Sequence, residues 1–116
     1  MTPFGVRVRE LRRERGLTLK QMAADLGVSS AYLSALEHGH RGRPTFVLVQ
    51  RICAYFHIIW DEAEELQRLA DQSHPRVVID TAGLHPKATA VANQLADRIA
   101  SLPEETLDRI GRLLKS

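Results

Sequence analysis

The stretch Leu19–His38, LKQMAADLGVSSAYLSALEH, carries two short apolar periodicities separated by a glycine. Its small and apolar positions fall where two helices would cross closely through a tight turn. Thr18 and Gln21 form a capping-box spacing, in which the threonine oxygen takes a free amide of the first turn and the glutamine side chain reaches back. That predicts a helix from about Leu19. Met22, Ala23 and Leu26 follow at helical spacing, with Ala23 small enough to admit a second helix. Gly27 ends the run, because glycine enters the left-handed conformation without a Cβ clash. Ser29 then suits the cap of a second helix. In that helix Leu33 and Leu36 face inward with Val28, leaving Ser30, Ala31, Ser34 and Ala35 outward. Spacing alone also fits an ordinary helical hairpin, so the flanks decide.

Before the pair lies FGVRVRELRRER, Phe4 to Arg15, with Phe4, Val8 and Leu11 on one stripe and five arginines around the rest. After it comes GHRGRPTFVLVQRICAYF, residues 39–56, a basic loop followed by Thr45 as a cap and by Leu48, Val49, Ile52, Cys53 and Phe56 as an apolar helical face. With Gly16-Leu17-Thr18-Leu19 and Leu36-Glu37-His38-Gly39 in register, this order resembles the Cro/repressor-type, or XRE, helix-turn-helix family over roughly residues 4–71. The resemblance implies an all-α, five-helix, lambda-repressor-like domain that binds double-stranded DNA. Its second motif helix would enter the major groove while the first lies across the backbone.

Carried onto this chain, the resemblance makes Ser30, Ala31, Ser34 and Ala35 the base-facing residues. It makes Thr18, Lys20, Tyr32, His38, His40 and Arg41 phosphate contacts, and places Arg43, just before Pro44, in the minor groove. Tyr32 has a second reading as a residue half-buried against the motif, and Lys20 as a solvated surface charge. Arg12 and Glu37 match a structural ion pair of the family rather than a DNA contact. The chain departs from the family at its base-facing positions, where serines and alanines replace long amide or basic side chains. No bidentate contact to guanine or adenine is available from them. Specificity would then come from serine hydrogen bonds, alanine against thymine methyls and DNA shape; the competing reading is a weak, nearly nonspecific reader.

Composition fits this picture. The 116-residue chain, 44% hydrophobic, has room for one compact domain and an appendage. Its formal net charge of +2 is unevenly placed, with net +4 over residues 1–43 and net −2 over residues 44–116. A basic motif half suits a face set on phosphates. No apolar run has the length of a membrane span or the form of a signal peptide, so a cytoplasmic location is expected. Cys53 is the only cysteine and sits on an apolar helical face, which predicts a buried structural thiol and excludes intrachain disulfides. His38 and His40 lack the further ligands of a metal site, and no nucleophile–base set or phosphate loop is present. Neither enzyme activity nor a cofactor or metal is expected.

The remainder is expected to be an accessory region. A fifth helix should run from about Trp60 to Asp71 with Ala63, Leu66, Leu69 and Ala70 inward, its acidic start explained by the helix dipole. Ile58-Ile59-Trp60 stands where the family has a polar cap, and core packing is its first reading, with an exposed self-association patch as the second. These assignments place a DNA-binding domain at residues 1–72 and an extended segment plus helical hairpin at 73–116. Arg76 to Asp80, RVVID, is the strand-like run, without a partner strand in the chain, and is expected either to lie as an extended arm on the helices or to pair with its copy across a two-fold axis. Leu84, Ala88, Val91, Leu95, Ile99 and Leu102 describe a helix from about Pro86 to Ser101, and Leu107, Ile110, Leu113 and Leu114 another beginning near Pro103. Two such helices have too little core to stand alone, so they call for a partner surface, most economically a second copy, with folding back on the first domain and docking a different protein as the alternatives. The sequence reading is a homodimeric, operator-specific repressor, a length without room for a ligand-sensing domain favouring simple promoter occupancy. Its rivals are a protein-interaction module, such as an antitoxin or adaptor with secondary DNA binding, and a nonspecific nucleoid protein.

Overall fold

A computed structural model describes residues 1–115. It contains α1 (Pro3–Glu14), α2 (Leu19–Leu26), α3 (Ser30–Glu37), α4 (Phe46–Phe56), α5 (Asp61–Asp71), α6 (Pro86–Arg98), a 3-10 turn (Ile99–Ser101) and α7 (Glu104–Leu114). No strand occurs among the described residues. The chain divides into two compact units, Met1–Val77 and the residues from Val78 onward.

In the first unit α1 packs on α3 and α5, α2 on α3, and α4 on α5. The stripes expected from sequence converge: Phe4, Val8 and Leu11 meet Met22, Ala23 and Leu26, Leu33 and Leu36, and the five apolar residues of α4 in one core. The capping box at Thr18 is formed, with its hydroxyl accepting from the Gln21 amide at 3.0 Å and its own amide donating to Gln21 Oε1 at 2.8 Å. Gly27 closes α2 at φ 74°, the left-handed geometry the turn demands. Cys53 is buried, and burial pushes its thiol pKa up, as expected of a structural cysteine.

Arg12 and Glu37 form a buried pair. Arg12 Nη2 reaches both Glu37 carboxylate oxygens, at 3.0 and 2.9 Å, with 9% and 1% of the two side chains exposed. Two residues that the sequence reading passed over hold the same corner. Thr2 caps α1: its hydroxyl accepts the Gly5 amide at 3.1 Å and donates to the Glu37 carbonyl at 3.0 Å. Gly5 lets α1 and α3 touch, because a Cβ there would lie 2.1 Å from the Glu37 carbonyl oxygen. Ser73 is also buried, taking the Phe4 amide at 3.0 Å and donating to the Leu69 carbonyl, so it ties the end of α5 to the start of α1.

Several expectations are corrected. Helix α5 begins at Asp61, because Trp60 has φ 52° and ψ −123°, outside the helical region. Core packing holds for Ile58 alone; Ile59 and Trp60 are 66% and 80% exposed. Helix α6 ends at Arg98 and its last turn tightens into the 3-10 turn. Pro103 caps α7 from outside rather than lying in its first turn. Arg76 lies in a bend and residues 77–80 form neither helix nor ladder, in keeping with a strand-like run that has no partner in the chain.

In the second unit α6 starts at Pro86 after His85, whose Nδ1 accepts the Lys87 amide at 3.0 Å. Glu104 and Glu105 in the first turn of α7 oppose the positive end of its dipole. Neither helix buries a residue, and a groove of about 320 Å³ between them is lined by Val91, Leu95, Leu102 and Ile110 together with Gln94 and Arg98.

Candidate nucleic-acid interface

The candidate interface is built on the starts of α2, α3 and α4. Each begins with a hydroxyl cap. Thr18 serves the Gln21 amide, Ser29 the Tyr32 amide at 3.0 Å and Thr45 the Leu48 amide at 3.2 Å. In each case the oxygen accepts, which leaves the hydroxyl proton to donate outward. None of the three has a carboxylate in its first turn, whereas α5 carries Asp61, Glu62 and Glu64 and α7 carries Glu104 and Glu105. The positive ends of three consecutive helices thus stay uncompensated, the arrangement that favours an anion.

The loop between α3 and α4 adds cations. The Arg41 guanidinium lies over the Tyr32 ring, 5.4 Å from its centre. His38 Nδ1 is 2.9 Å from the Ser34 carbonyl oxygen, and the His38 and His40 rings stack at 6.0 Å. Lys20, Arg41 and Arg43 make no ion pair among the described residues, and all three are exposed. Pro44, by contrast, is buried and fixes the loop behind Arg43. A hollow of about 280 Å³ lined by Val28, Tyr32, Thr45, Val47, Leu48 and Arg51 joins the motif to α4. The structure therefore brings Tyr32, Arg41 and Thr45 into one neighbourhood, while no contact links Thr18 or Lys20 to it.

On α3, Ser30 and Ala31 are exposed, but Ser34 and Ala35 are half-buried. The outward face thus narrows toward the end of the helix, where the Ser34 carbonyl accepts from the His38 amide at 3.1 Å and the Ala35 carbonyl from the His40 amide at 2.9 Å. Tyr32 is half-buried.

The arginines of α1 largely have other duties. Arg7 faces Glu10 at 3.1 Å, Glu14 at 3.7 Å and Glu62 at 3.8 Å, and Arg12 holds Glu37. Arg15 donates to the Phe56 carbonyl at 2.9 Å and covers the Phe56 ring, closing the end of α4. Much of the positive charge counted in the first 43 residues is thus neutralised or used within the fold.

Sequence reasoning missed two braces of the motif. Arg51 of α4 donates to the Leu26 carbonyl at the end of α2, satisfying an orphan acceptor beside the turn. Tyr55 donates to Asp25 at 2.7 Å, and burial, followed by that bond and the Asp25 charge, pushes its phenol up to about 12. Neither pair has a local signal, since each joins residues at least 25 positions apart. Thr2 did have one: a threonine before a proline at the first helical position.

A family model described as a helix-turn-helix domain matches residues 3–72. Among curated proteins, the chain is 41% identical over 61 residues to the uncharacterized HTH-type transcriptional regulator RghRB of Bacillus subtilis, covering 53% of this chain and 44% of that one. It is 42% identical over 52 residues to the HTH-type transcriptional repressor RghR of the same organism, covering 45% and 38%. With the HTH-type transcriptional regulator DdrOP3 of Deinococcus deserti it shares 38% identity over 85 residues, covering 72% and 59%, a span that continues past the first compact unit. The chain spans about half the length of the curated relatives it matches. No solved structure gives a significant match.

Proposed function

The chain belongs to the XRE-type helix-turn-helix family, and on that premise we propose that it is a DNA-binding transcriptional regulator, a dimeric repressor that reads a pseudo-palindromic operator through α3. The observation that carries the reading is the run of three consecutive hydroxyl-capped helix starts without carboxylates, α2, α3 and α4, beside the exposed Lys20, Arg41 and Arg43; α1 starts in the same way, but its Thr2 cap is buried against the Glu37 carbonyl.

In this mechanism the free hydroxyl protons of Thr18 and Thr45 and the exposed amides of their first turns bind phosphates, with Lys20, His38, His40 and the Tyr32-braced Arg41 alongside. These contacts set α3 in the major groove. Ser30 and Ala31 then meet base edges, with Ser34 and Ala35 closer to the helix–backbone contact. Short side chains let the α3 backbone sit deep, so that much of the readout falls to DNA shape. Arg43 enters the flanking minor groove, where a narrow A·T-rich tract is most negative. Two copies place two α3 helices on successive turns of the groove and join two half-sites into one affinity.

The direct test is selection from a random DNA library by the purified full chain at near-physiological salt, with its mass measured in the same buffer. Enrichment of a palindrome by a dimer is expected. Recovery without sequence preference, with steep loss of binding as salt rises, would replace the operator reading with nonspecific binding. Co-purification of a stoichiometric companion with a monomer of this chain would favour the interaction-module reading instead. Within the selected site, Ala31→Glu should weaken binding about a hundredfold or more, because a carboxylate enters a groove lined by phosphates. Intact binding by that variant would mean that another face of α3 meets the DNA.

A further inference from the structure

Between the buried Ser73 and the turn at Ala82-Gly83, the chain passes a bend at Pro75-Arg76 and then runs through Val77-Val78-Ile79-Asp80 in neither helix nor strand. Val77, Val78 and Ile79 are 71%, 88% and 60% exposed. Their backbone amides, and that of Asp80, make no hydrogen bond among the described residues. Three consecutive β-branched residues with unpaired backbone are the composition and the open hydrogen-bonding capacity of a strand awaiting a neighbour.

We propose that residues 76–80 pair with the same segment of a second copy as a two-stranded antiparallel ribbon centred on Val78. The occupant follows from the order of the side chains. An antiparallel two-fold sets Val78 against Val78 of the partner subunit, Val77 against Ile79 of the partner subunit and Arg76 against Asp80 of the partner subunit, with each unlike pair made twice. The segment is self-complementary in charge only in this arrangement. A parallel pairing in register would set Arg76 on Arg76 and Asp80 on Asp80, and a slip of one residue would leave both charges opposite uncharged neighbours.

The charged groups are available for this use. Arg76 makes no ion pair among the described residues; only its backbone amide is engaged, with His74 Nδ1 at 3.3 Å. Asp80 Oδ1 takes the Ala82 amide at 2.9 Å, which leaves Oδ2 for a guanidinium. Alternation puts Arg76, Val78 and Asp80 on one face and Val77 and Ile79 on the other. One face thus carries two cross-strand ion pairs around a valine pair, and the opposite face gathers four β-branched side chains. A two-stranded ribbon is marginal alone, so it adds to the association of α6 and α7 and specifies its symmetry. The proposal rests on the dimer reading given above.

Sedimentation equilibrium of the full chain at low salt tests it. Arg76→Asp and Asp80→Arg each create two like-charge pairs and should raise the dimer dissociation constant about tenfold. The double exchange Arg76→Asp/Asp80→Arg restores opposite charges and should return the constant to within about threefold of the unmodified chain. Under mild oxidation Val78→Cys should link to itself, since directly opposed residues lie within disulfide reach. Val77→Cys should link not to itself but to an Ile79→Cys chain mixed with it. A dimer indifferent to both charge reversals, or weakened by them without rescue in the exchange, overturns the ribbon and leaves the dimer standing. An unmodified chain that stays monomeric at every concentration overturns the dimer reading and the ribbon together.

Discussion

The two compact units use the same kind of sequence to opposite ends. In the first, stripes at three- and four-residue spacing on five helices meet, and 16 apolar residues are buried. In the second, stripes of equal regularity on α6 and α7 bury none, and Val91, Ile99, Leu113 and Leu114 are 53%, 54%, 74% and 81% exposed. Amphipathic spacing says which face seeks cover; it does not say what covers it. Five helices can enclose one another. Two cannot, and their apolar face is left without cover from within its own unit.

The contrast breaks first at the α1–α3 corner, where the first unit depends on atoms with no freedom to move. Glu37→Ala leaves the Arg12 cation buried and alone, and should remove about 3–5 kcal/mol of stability. Gly5→Ala drives a methyl group into the Glu37 carbonyl, 2.1 Å away, and should remove about 1–3 kcal/mol or more. Urea unfolding followed by far-UV circular dichroism measures both, with Cys53 labelling as a reporter specific to the first unit because that thiol is buried in its core. Trp60 is a poor reporter, being 80% exposed in the fold already. A Glu37→Ala protein as stable as the parent would mean that the pair is solvated and the corner adaptable.

The next effect sharpens the difference between the units. Leu66→Ala, in the core of the first, should cost about 2–5 kcal/mol at any protein concentration. Leu113→Ala should leave Cys53 protection unchanged and, on the dimer reading, weaken self-association instead, visible as a lower melting temperature of the hairpin at equal chain concentration. Equal loss of Cys53 protection in the two variants would dissolve the distinction between internal and external cover.

What was legible follows the same division. Local rules were enough for the helix order, the Thr18–Gln21 capping box, the Gly27 turn and the core stripes, because each depends on residues within one or two turns. Close approaches were not legible. Nothing in the neighbourhood of Gly5 or Ser73 announces a partner 32 or 69 positions away. Composition was silent in a related manner: the net +4 of residues 1–43 already counts Glu10, Glu14 and Glu37, but not that Arg7 also meets Glu62, that Arg12 is buried on Glu37 or that Arg15 is spent on a carbonyl and a ring. At the candidate interface, sequence named Thr18, Tyr32 and Arg41, but the brace of Arg41 on Tyr32 and the anchoring of Arg51 to Leu26 needed the fold.

The smallest effect lies in the Tyr55–Asp25 brace between α4 and α2. Tyr55→Phe should lower stability at pH 8 by about 0.5–1.5 kcal/mol, the usual net value of one hydrogen bond. Its pH dependence tells more. The phenol is raised from 10.0 to about 12, chiefly by burial and then by Asp25, so the folded chain holds this proton more tightly than the unfolded chain does. Its contribution is therefore complete below pH 10 and lost as pH rises toward 12. The parent should lose its advantage over the variant in urea midpoint across that window, whereas a constant gap would show that something other than the phenol proton and its bond to Asp25 separates the two. Both tyrosines of the chain, Tyr32 and Tyr55, lie in the first unit. Alkaline loss of phenolic stabilisation is thus confined to the unit that covers its own core, and the hairpin should hold its association unchanged by tyrosine ionisation over the same range.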